Sequence, residues 1–353
     1  MEAHNLDVLE LGRQANVRYF TGAPQLWVAG TRPFGPICTV VRDTGKIYLN
    51  STWDEGIPDD IPHDHLYGLA WNPMTLISVL QNIEGAAAAG RVGTDALSPT
   101  FATLLPMAFP NAELVDGEPA MRAARRIKTT DEVDAVRSAL RVAEDSLSVA
   151  AAELRPGVTE HELAGVLMEA EARGGVCTPA TQDAAWVTSR EHPWRRAHRD
   201  GTVRDGDLVA LSAGVLADGY LGEVGRTLPV GDAGSEHVRR LYHRWNELWD
   251  RLIAACRAGA PAADLLSAYD VAGEPLPPMP AAHGLGLGFD PPVVSSRLPQ
   301  TAASERLDPG MVLAVTGYVW EEGVGAVFSR DAVLIAEDGP EVMTTGSKVA
   351  AHG

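Results

Sequence analysis

Residues 206–227 read GDLVALSAGVLADGYLGEVGRT, and this stretch decides the fold of the second half of the chain. Residues 208–212 form a short apolar run that is long enough for one buried strand. Residues 216–219 carry a turn signal that ends in Asp-Gly, and residues 220–227 return as a partner strand. The stretch therefore predicts a β-hairpin.

This hairpin resembles the first metal-ligand hairpin of the creatinase / aminopeptidase P / prolidase / methionine aminopeptidase superfamily, whose catalytic domain has the pita-bread fold. In that superfamily the hairpin carries two aspartates, and both bind a pair of divalent metal ions. The frame of the hairpin is intact in this sequence, but the ligands differ. Ser212 stands where the first aspartate belongs, and Glu223 stands where the second does.

Two further segments resemble the same superfamily and imply its two-domain organisation. Residues 16–22, NVRYFTG, resemble a segment near the start of its N-terminal domain; taken alone, they predict a strand end followed by a glycine turn. Residues 125–129, RRIKT, resemble the entry to the catalytic domain. The resemblance implies an α/β N-terminal domain, residues 1–120, and an α+β pita-bread domain, residues 126–353, with an antiparallel sheet and flanking helices.

The second domain is predicted to contain three amphipathic helices. Thr129 and Glu132 fit a capping box for the first helix, and Thr159 and Glu162 cap the second. Residues 241–256 repeat apolar side chains at helical spacing and predict the third helix. Apolar stripes of this kind are typical of core packing.

Residues 282–288, AHGLGLG, resemble a signature of the superfamily in which a histidine binds metal and can contact developing charge. The alternating glycines would let the backbone approach a ligand closely. An imidazole is also a side chain that can change charge near neutral pH. We therefore expect His283 to be a functional residue that transfers protons.

Residues 311–320 and 324–335 resemble the last two ligand strands of the superfamily, but both glutamates are replaced. Thr316 occupies the position of the first glutamate, and Arg330 occupies the position of the second. One carboxylate and one imidazole are few donors for a divalent pair, and a guanidinium repels such ions. We expect no metal and no other cofactor, and we predict that Glu223 and Arg330 form a partly buried ion pair.

The loop of residues 191–199, EHPWRRAHR, precedes the hairpin, and in many relatives a histidine near this point contacts substrate. Loop length does not choose between the two histidines present, and a solvated basic loop is the alternative interpretation. The predicted catalytic residues are His283, Glu223 and His192. The predicted substrate-binding residues are Arg330, Thr316, Ser212 and His198.

Composition narrows the class of partner. The formal charge of −18 disfavours nucleic acid and anionic membranes. The sequence has no stretch of roughly 20 apolar residues and no visible secretory signal. Its three cysteines are far apart, which favours reduced thiols in a cytoplasmic protein. We expect a small-molecule or short-peptide ligand, and the resemblance implies a homodimer.

Three functions remain open from the sequence. The first is a metal-independent hydrolase or lyase that acts on a small amino-acid-like or amidino substrate by side-chain acid–base chemistry, for which the resemblance to creatinase offers a precedent. The second is a non-catalytic protein that binds a small molecule, a peptide or a partner protein in the same cleft. The third is a metallopeptidase of the Xaa-Pro aminopeptidase or dipeptidase type. We favour them in that order.

Overall fold

The structure is a computed structural model, and it describes residues 1–23, 36–51, 56–68, 72–95, 98–176, 180, 185–231 and 235–345. By its internal contacts the chain divides into two compact units, Met1–Arg125 and Arg126–Gly353. In the described part of the chain, no helix is both long and apolar enough to cross a membrane.

The first unit is an α/β domain built on a mixed sheet. Its strands are β1 (Val8–Leu11), β2 (Cys38–Val41), β3 (Ile47–Asn50), β4 (Leu66–Tyr67), β5 (Arg91–Thr94) and β6 (Glu113–Asp116). Its helices are α1 (Gln14–Thr21), α2 (Pro73–Gln81), α3 (Pro99–Ala108) and α4 (Glu118–Arg125). The strand order is β4-β3-β2-β1-β5-β6. Strands β1, β2 and β3 pair antiparallel, and the other pairs are parallel.

The segment NVRYFTG is helical, so the expectation of a strand end at residues 16–22 is wrong; only the glycine turn holds. Helix α1 ends at Gly22, which has a φ of 64°. The start of the helix is fixed by a distant residue, because the Asp95 carboxylate accepts hydrogen bonds from the backbone N–H groups of Gly12 and Arg13 and from Asn16. Free N–H groups at a helix start need such an acceptor. Residues 16–22 alone do not contain it.

The second unit is built on one antiparallel sheet. Its strands are β7 (Ala185–Val187), β8 (Leu208–Ala217), β9 (Tyr220–Pro229), β10 (Ala282–Leu285), β11 (Phe289–Val294), β12 (Val312–Glu321), β13 (Gly325–Ala336) and β14 (Gly339–Val342). Its helices are α5 (Thr130–Ala152), α6 (Glu160–Arg173), α7 (Glu236–Ala255), α8 (Asp264–Ala272) and α9 (Pro299–Ser304). The strand order is β11-β10-β12-β13-β9-β8-β7, and β14 pairs with β13.

The helices cover two parts of this sheet. Helices α5 and α6 bury their apolar faces against β7, β8 and β9. Helices α7 and α8 pack on β12 and β13, where Trp245 and Trp249 are almost fully buried. The arrangement confirms the predicted antiparallel sheet with flanking helices. Both predicted capping boxes, at Thr129 and Thr159, are present.

The hairpin predicted from residues 206–227 is formed by β8 and β9. Ala217 pairs with Tyr220, so Asp218 and Gly219 make a two-residue turn. Both turn residues have positive φ, 47° and 81°. A two-residue turn with φ above zero at both positions matches the twist of the strands, and Asp-Gly is a favoured sequence for it. The turn therefore fixes the register of the whole hairpin.

Candidate active site

Four of the five positions that hold metal ligands in the superfamily lie close together in the sheet. Three of them share one row across the strands, and the fourth, Glu223, lies beside that row. Thr316 lies opposite Arg330, Arg330 opposite Gly225, and Gly225 opposite Ser212. Glu223 lies two residues before Gly225 on the same strand. Because side chains alternate between the faces of a strand, all four side chains belong to one face.

His283 joins this face from β10. It lies opposite Ala314, which is two residues from Thr316 on β12. The following residue, Gly284, sits where the strand pairing shifts, and a Cβ there would lie 2.6 Å from the Asp290 carbonyl oxygen. Only glycine permits that approach. The glycine therefore shapes the strand that presents His283.

Glu223 is the centre of the charged cluster. Its side chain is 1% exposed, and its Oε2 lies 3.1 Å from Nε2 of His283 and 3.3 Å from a terminal nitrogen of Arg330. Burial raises the pKa of Glu223, but the hydrogen bond with His283 and the charge of Arg330 outweigh burial, so the pKa is lowered overall. The predicted Glu223–Arg330 ion pair is thus present, and the carboxyl group is ionised at neutral pH.

Arg330 is held by several partners. Its Nε donates to the Thr316 hydroxyl at 3.2 Å, one terminal nitrogen donates to Glu223, and the other contacts the Met279 sulfur at 3.4 Å. Its guanidinium carbon lies 5.6 Å from the ring centre of Phe328, within cation–π range. Thr316 itself is fully buried. Thr316 therefore contacts Arg330 and is not among the described residues that line the cavity, and its role in substrate binding stays a prediction.

The cluster faces a cavity of about 630 Å³. Ser212, Glu223, His283 and Arg330 form one polar cluster in its wall. The rest of the wall consists of Ala180, Trp186, Trp194, Arg195, Arg196, Met279, Pro280, Val293 and Phe328. A concave pocket with a few convergent polar groups and a large apolar wall is the usual form of a small-molecule site.

The loop of residues 191–199 contributes to the cavity, but not through its histidines. Trp194, Arg195 and Arg196 line the cavity, whereas His192 and His198 are not among the described lining residues. His198 lies 2.9 Å from the Asp207 carboxylate, and His192 is exposed. The structure therefore places neither histidine at the described cavity wall, and their contact with substrate stays a prediction. The loop is not a freely solvated segment either.

Contacts with the sheet fix the direction of this loop. Trp194 stacks on Tyr318 with ring centres 3.5 Å apart, and its backbone N–H donates to the Tyr318 hydroxyl at 2.9 Å. Trp194 has a φ of 63°, which is unfavourable for a bulky residue, so the stacked contact holds a strained backbone. Sequence reasoning missed these wall residues. Phe328 could have been found, since it precedes Arg330 by two residues on the same strand.

Family models match both halves of the chain. The model of the creatinase/prolidase N-terminal domain matches residues 1–127, and the model of metallopeptidase family M24 matches residues 134–337. The chain belongs to the M24 family.

Proteins similar to this chain include enzymes with different names. Creatinase of a Bacillus species is 23% identical, over 98% of this chain and 87% of that protein. An Xaa-Pro dipeptidase of Pyrococcus furiosus is 26% identical, over 62% of this chain and 63% of that protein. The prolidase structure from Pyrococcus horikoshii superimposes with a TM-score of 0.80 at 19% identity, over 98% of this chain and 96% of the other. The similarity confirms the fold.

The residues at the five metal-ligand positions do not fit a pair of divalent ions. One carboxylate and one imidazole are the only strong donors among them, and the guanidinium of Arg330 lies 3.3 Å from that carboxylate. The Thr316 hydroxyl is already bound to Arg330. Elsewhere in the described ranges, no group of three or more His, Cys, Asp or Glu side chains could hold an ion. The side chains at these positions therefore differ from those that a metallopeptidase needs to bind its ions.

Proposed function

We propose that this protein is a metal-independent hydrolase or lyase that acts on the C–N bond of a small amino-acid-like or amidino substrate. One observation carries the proposal: His283 lies 3.1 Å from the buried carboxylate of Glu223, which is also paired with Arg330, and all three residues line the same cavity. A proton-transfer group with a fixed orienting partner is what general acid–base catalysis requires.

The geometry divides the work between the two residues. Because the pKa of Glu223 is lowered, its carboxylate is a weak base, and it orients the imidazole and stabilises the imidazolium form. His283 takes a proton from the attacking water or the substrate and returns it to the leaving nitrogen. The other oxygen of Glu223, Oε1, has no hydrogen-bond partner within the described structure. It can accept an N–H group of the substrate, since a buried acceptor needs a donor.

The size and lining of the cavity support a small substrate. A volume of about 630 Å³ lies within the range of pockets for single small molecules. Aromatic side chains, Trp186 and Phe328 among them, supply flat apolar surface beside the charged cluster. A small compound that combines a carboxylate with a nitrogen-rich group would therefore suit this cavity.

The experiment combines metal removal with a substrate panel. The protein is dialysed against a chelator, its residual metal is measured, and it is incubated with Xaa-Pro and other dipeptides, N-methylated amino acids and guanidino acids. Product formation is followed by proton NMR. We expect turnover of a non-peptide member by the metal-depleted protein, and loss of that turnover in His283→Gln. His243→Gln is the matched control, because His243 is an exposed residue of α7.

The two other functions give different results in the same assay. The names of relatives, such as the Xaa-Pro dipeptidase of Pyrococcus furiosus, favour a metallopeptidase. Cleavage of Xaa-Pro dipeptides that needs added Mn²⁺, Co²⁺ or Zn²⁺ would establish that function and refute ours. Saturable binding without turnover would favour a non-catalytic binding protein. Homodimerisation and a cytoplasmic location stay predictions from the sequence, and light scattering measures the first.

A further inference from the structure

We propose that Arg195 recognises the carboxylate of the substrate, so that the cavity binds small amino-acid-like acids in preference to the corresponding uncharged amides. This inference rests on the proposed function of the cavity, but it concerns binding and does not require turnover. It also assigns the carboxylate to an arginine other than Arg330, which the sequence predicts to bind substrate.

Arg330 is poorly placed to receive a second anion. Each of its three nitrogens already has a partner, namely Thr316, Glu223 and Met279. Its charge is balanced by the Glu223 carboxylate at 3.3 Å. A substrate carboxylate at Arg330 would compete with that ion pair and would lie close to the charge of Glu223. Like charges at such short range repel.

Two further arginines, Arg195 and Arg196, line the cavity, and both are exposed to solvent at its rim. One of them is also paired. Arg196 forms an ion pair with Glu160, whose side chain is 5% exposed, and donates to the Ala185 carbonyl oxygen at 2.9 Å. The Arg195 side chain has no ion pair or hydrogen bond with any described residue. Since the Glu223–Arg330 and Glu160–Arg196 pairs are balanced, the described lining carries one uncompensated positive charge.

Hydrogen bonds hold the backbone on both sides of Arg195, whereas its guanidinium group makes no such contact with a described residue. The Arg195 carbonyl oxygen accepts from the Ser189 N–H at 3.0 Å, and the Ala197 N–H donates to the Val187 carbonyl oxygen at 2.9 Å. On the preceding side, Trp194 is stacked on Tyr318. A guanidinium on a rigid backbone can form two parallel hydrogen bonds with a carboxylate at a low cost in loop entropy. The backbone of Arg195 is therefore held in place, while its exposed side chain is free to meet a carboxylate.

The net negative charge of the protein makes the positive charge of Arg195 important for selectivity. The chain carries a formal charge of −18, which disfavours the approach of anions to most of its surface. An unpaired cation in the cavity wall gives a carboxylate one favourable place to bind. Removing that cation should weaken the binding of acids and leave the binding of neutral amides unchanged.

The test is calorimetric titration with matched pairs of probes. The pairs are sarcosine and sarcosinamide, guanidinoacetate and guanidinoacetamide, and glycyl-proline and glycyl-prolinamide. We expect the wild-type protein to bind at least one acid about tenfold or more tightly than its amide. Arg195→Gln should lose this preference while its affinity for the amide stays constant. Arg195→Lys should keep part of it, because lysine retains the charge without the planar fork.

Arg199→Gln is the matched control, since Arg199 is an exposed arginine of the same loop that does not line the cavity. Unchanged preference for acids in Arg195→Gln would overturn the inference. Equal loss of acid and amide binding would also overturn it, because a damaged loop would then explain the result. So would failure of every acid in the panel to saturate the wild-type protein.

The inference and the proposed function fail separately. A preference for acids that depends on Arg195, without turnover of any compound, leaves the inference intact and refutes the proposed function. Turnover by His283 with equal affinity for acid and amide does the reverse.

Discussion

Replacing Arg330 with methionine tests the charged cluster most directly, because it removes one partner of a buried ion pair and keeps an apolar stem of similar length. Glu223 is 1% exposed and Arg330 13% exposed, so solvent screens the pair only weakly. We expect Arg330→Met to lower the free energy of unfolding of the second unit and to abolish activity. Arg195→Met is the control for stability alone, since it removes a guanidinium that has no ion pair with a described residue from the same cavity wall.

The size of the effect follows from the geometry. At the observed 3.3 Å and an effective dielectric constant of about 20, the Coulomb attraction is about 5 kcal/mol. Breaking a buried pair by removing one partner typically costs about 3–5 kcal/mol. His283 remains beside Glu223 and compensates part of the loss, so we expect about 3 kcal/mol. For a unit of this size, that lowers Tm by about 6–12 °C. The control should change stability by less than about 0.5 kcal/mol.

The pH dependence provides an independent check. In the wild-type protein the pKa of Glu223 is lowered, so its contribution to stability is present above the pKa of the unfolded chain. That contribution is lost as pH falls through the lower folded value. Without Arg330, burial should raise the pKa of Glu223, so the deficit of the variant should shrink between pH 7 and pH 5. Urea unfolding at both values measures it. A deficit below about 1 kcal/mol at pH 7, or one that grows on acidification, would refute the reasoning.

The other predictions concern proton transfer, orientation of Arg330 and a second buried acid. His283→Gln should abolish turnover and change the free energy of unfolding by less than about 1.5 kcal/mol, measured by urea unfolding; equal losses of both would indicate a structural histidine. Thr316→Val removes the acceptor of Arg330 Nε, and it should cost about 1–2 kcal/mol and reduce kcat more than it raises KM. Burial raises the pKa of Glu171 to about 7. Folding therefore binds a proton there, and its stabilising effect is lost as pH rises through 7. Glu171→Gln should accordingly be more stable than the wild type at pH 8.5 and equal to it near pH 4, below the pKa of the unfolded chain. A difference that is constant with pH would contradict this assignment.

Local patterns in the sequence were sufficient for much of the second unit. The Asp218-Gly219 turn and the capping boxes at Thr129 and Thr159 depend on residues within a few positions of one another, and all three are present. The Glu223–Arg330 ion pair joins distant strands, yet it was predictable, because alternation and register place both side chains on one face.

Residues outside these periodic elements were harder to predict. The helical state of residues 16–21 depends on Asp95, about eighty positions away in the sequence. The direction of the 191–199 loop depends on Tyr318 and Glu160, which the loop sequence does not contain. For that reason the sequence favours the two histidines, whereas Trp194, Arg195 and Arg196 are the loop residues that line the cavity.

The sequence by itself determined the family, the pita-bread sheet and the replacement of the metal-binding carboxylates. These properties follow from residue identity, strand alternation and turn chemistry, which act over short distances along the chain. Only the tertiary structure decided which guanidinium is free. Arg330, Arg196 and Arg195 are chemically identical, and they differ because packing gives carboxylate partners to the first two and leaves the third facing the cavity.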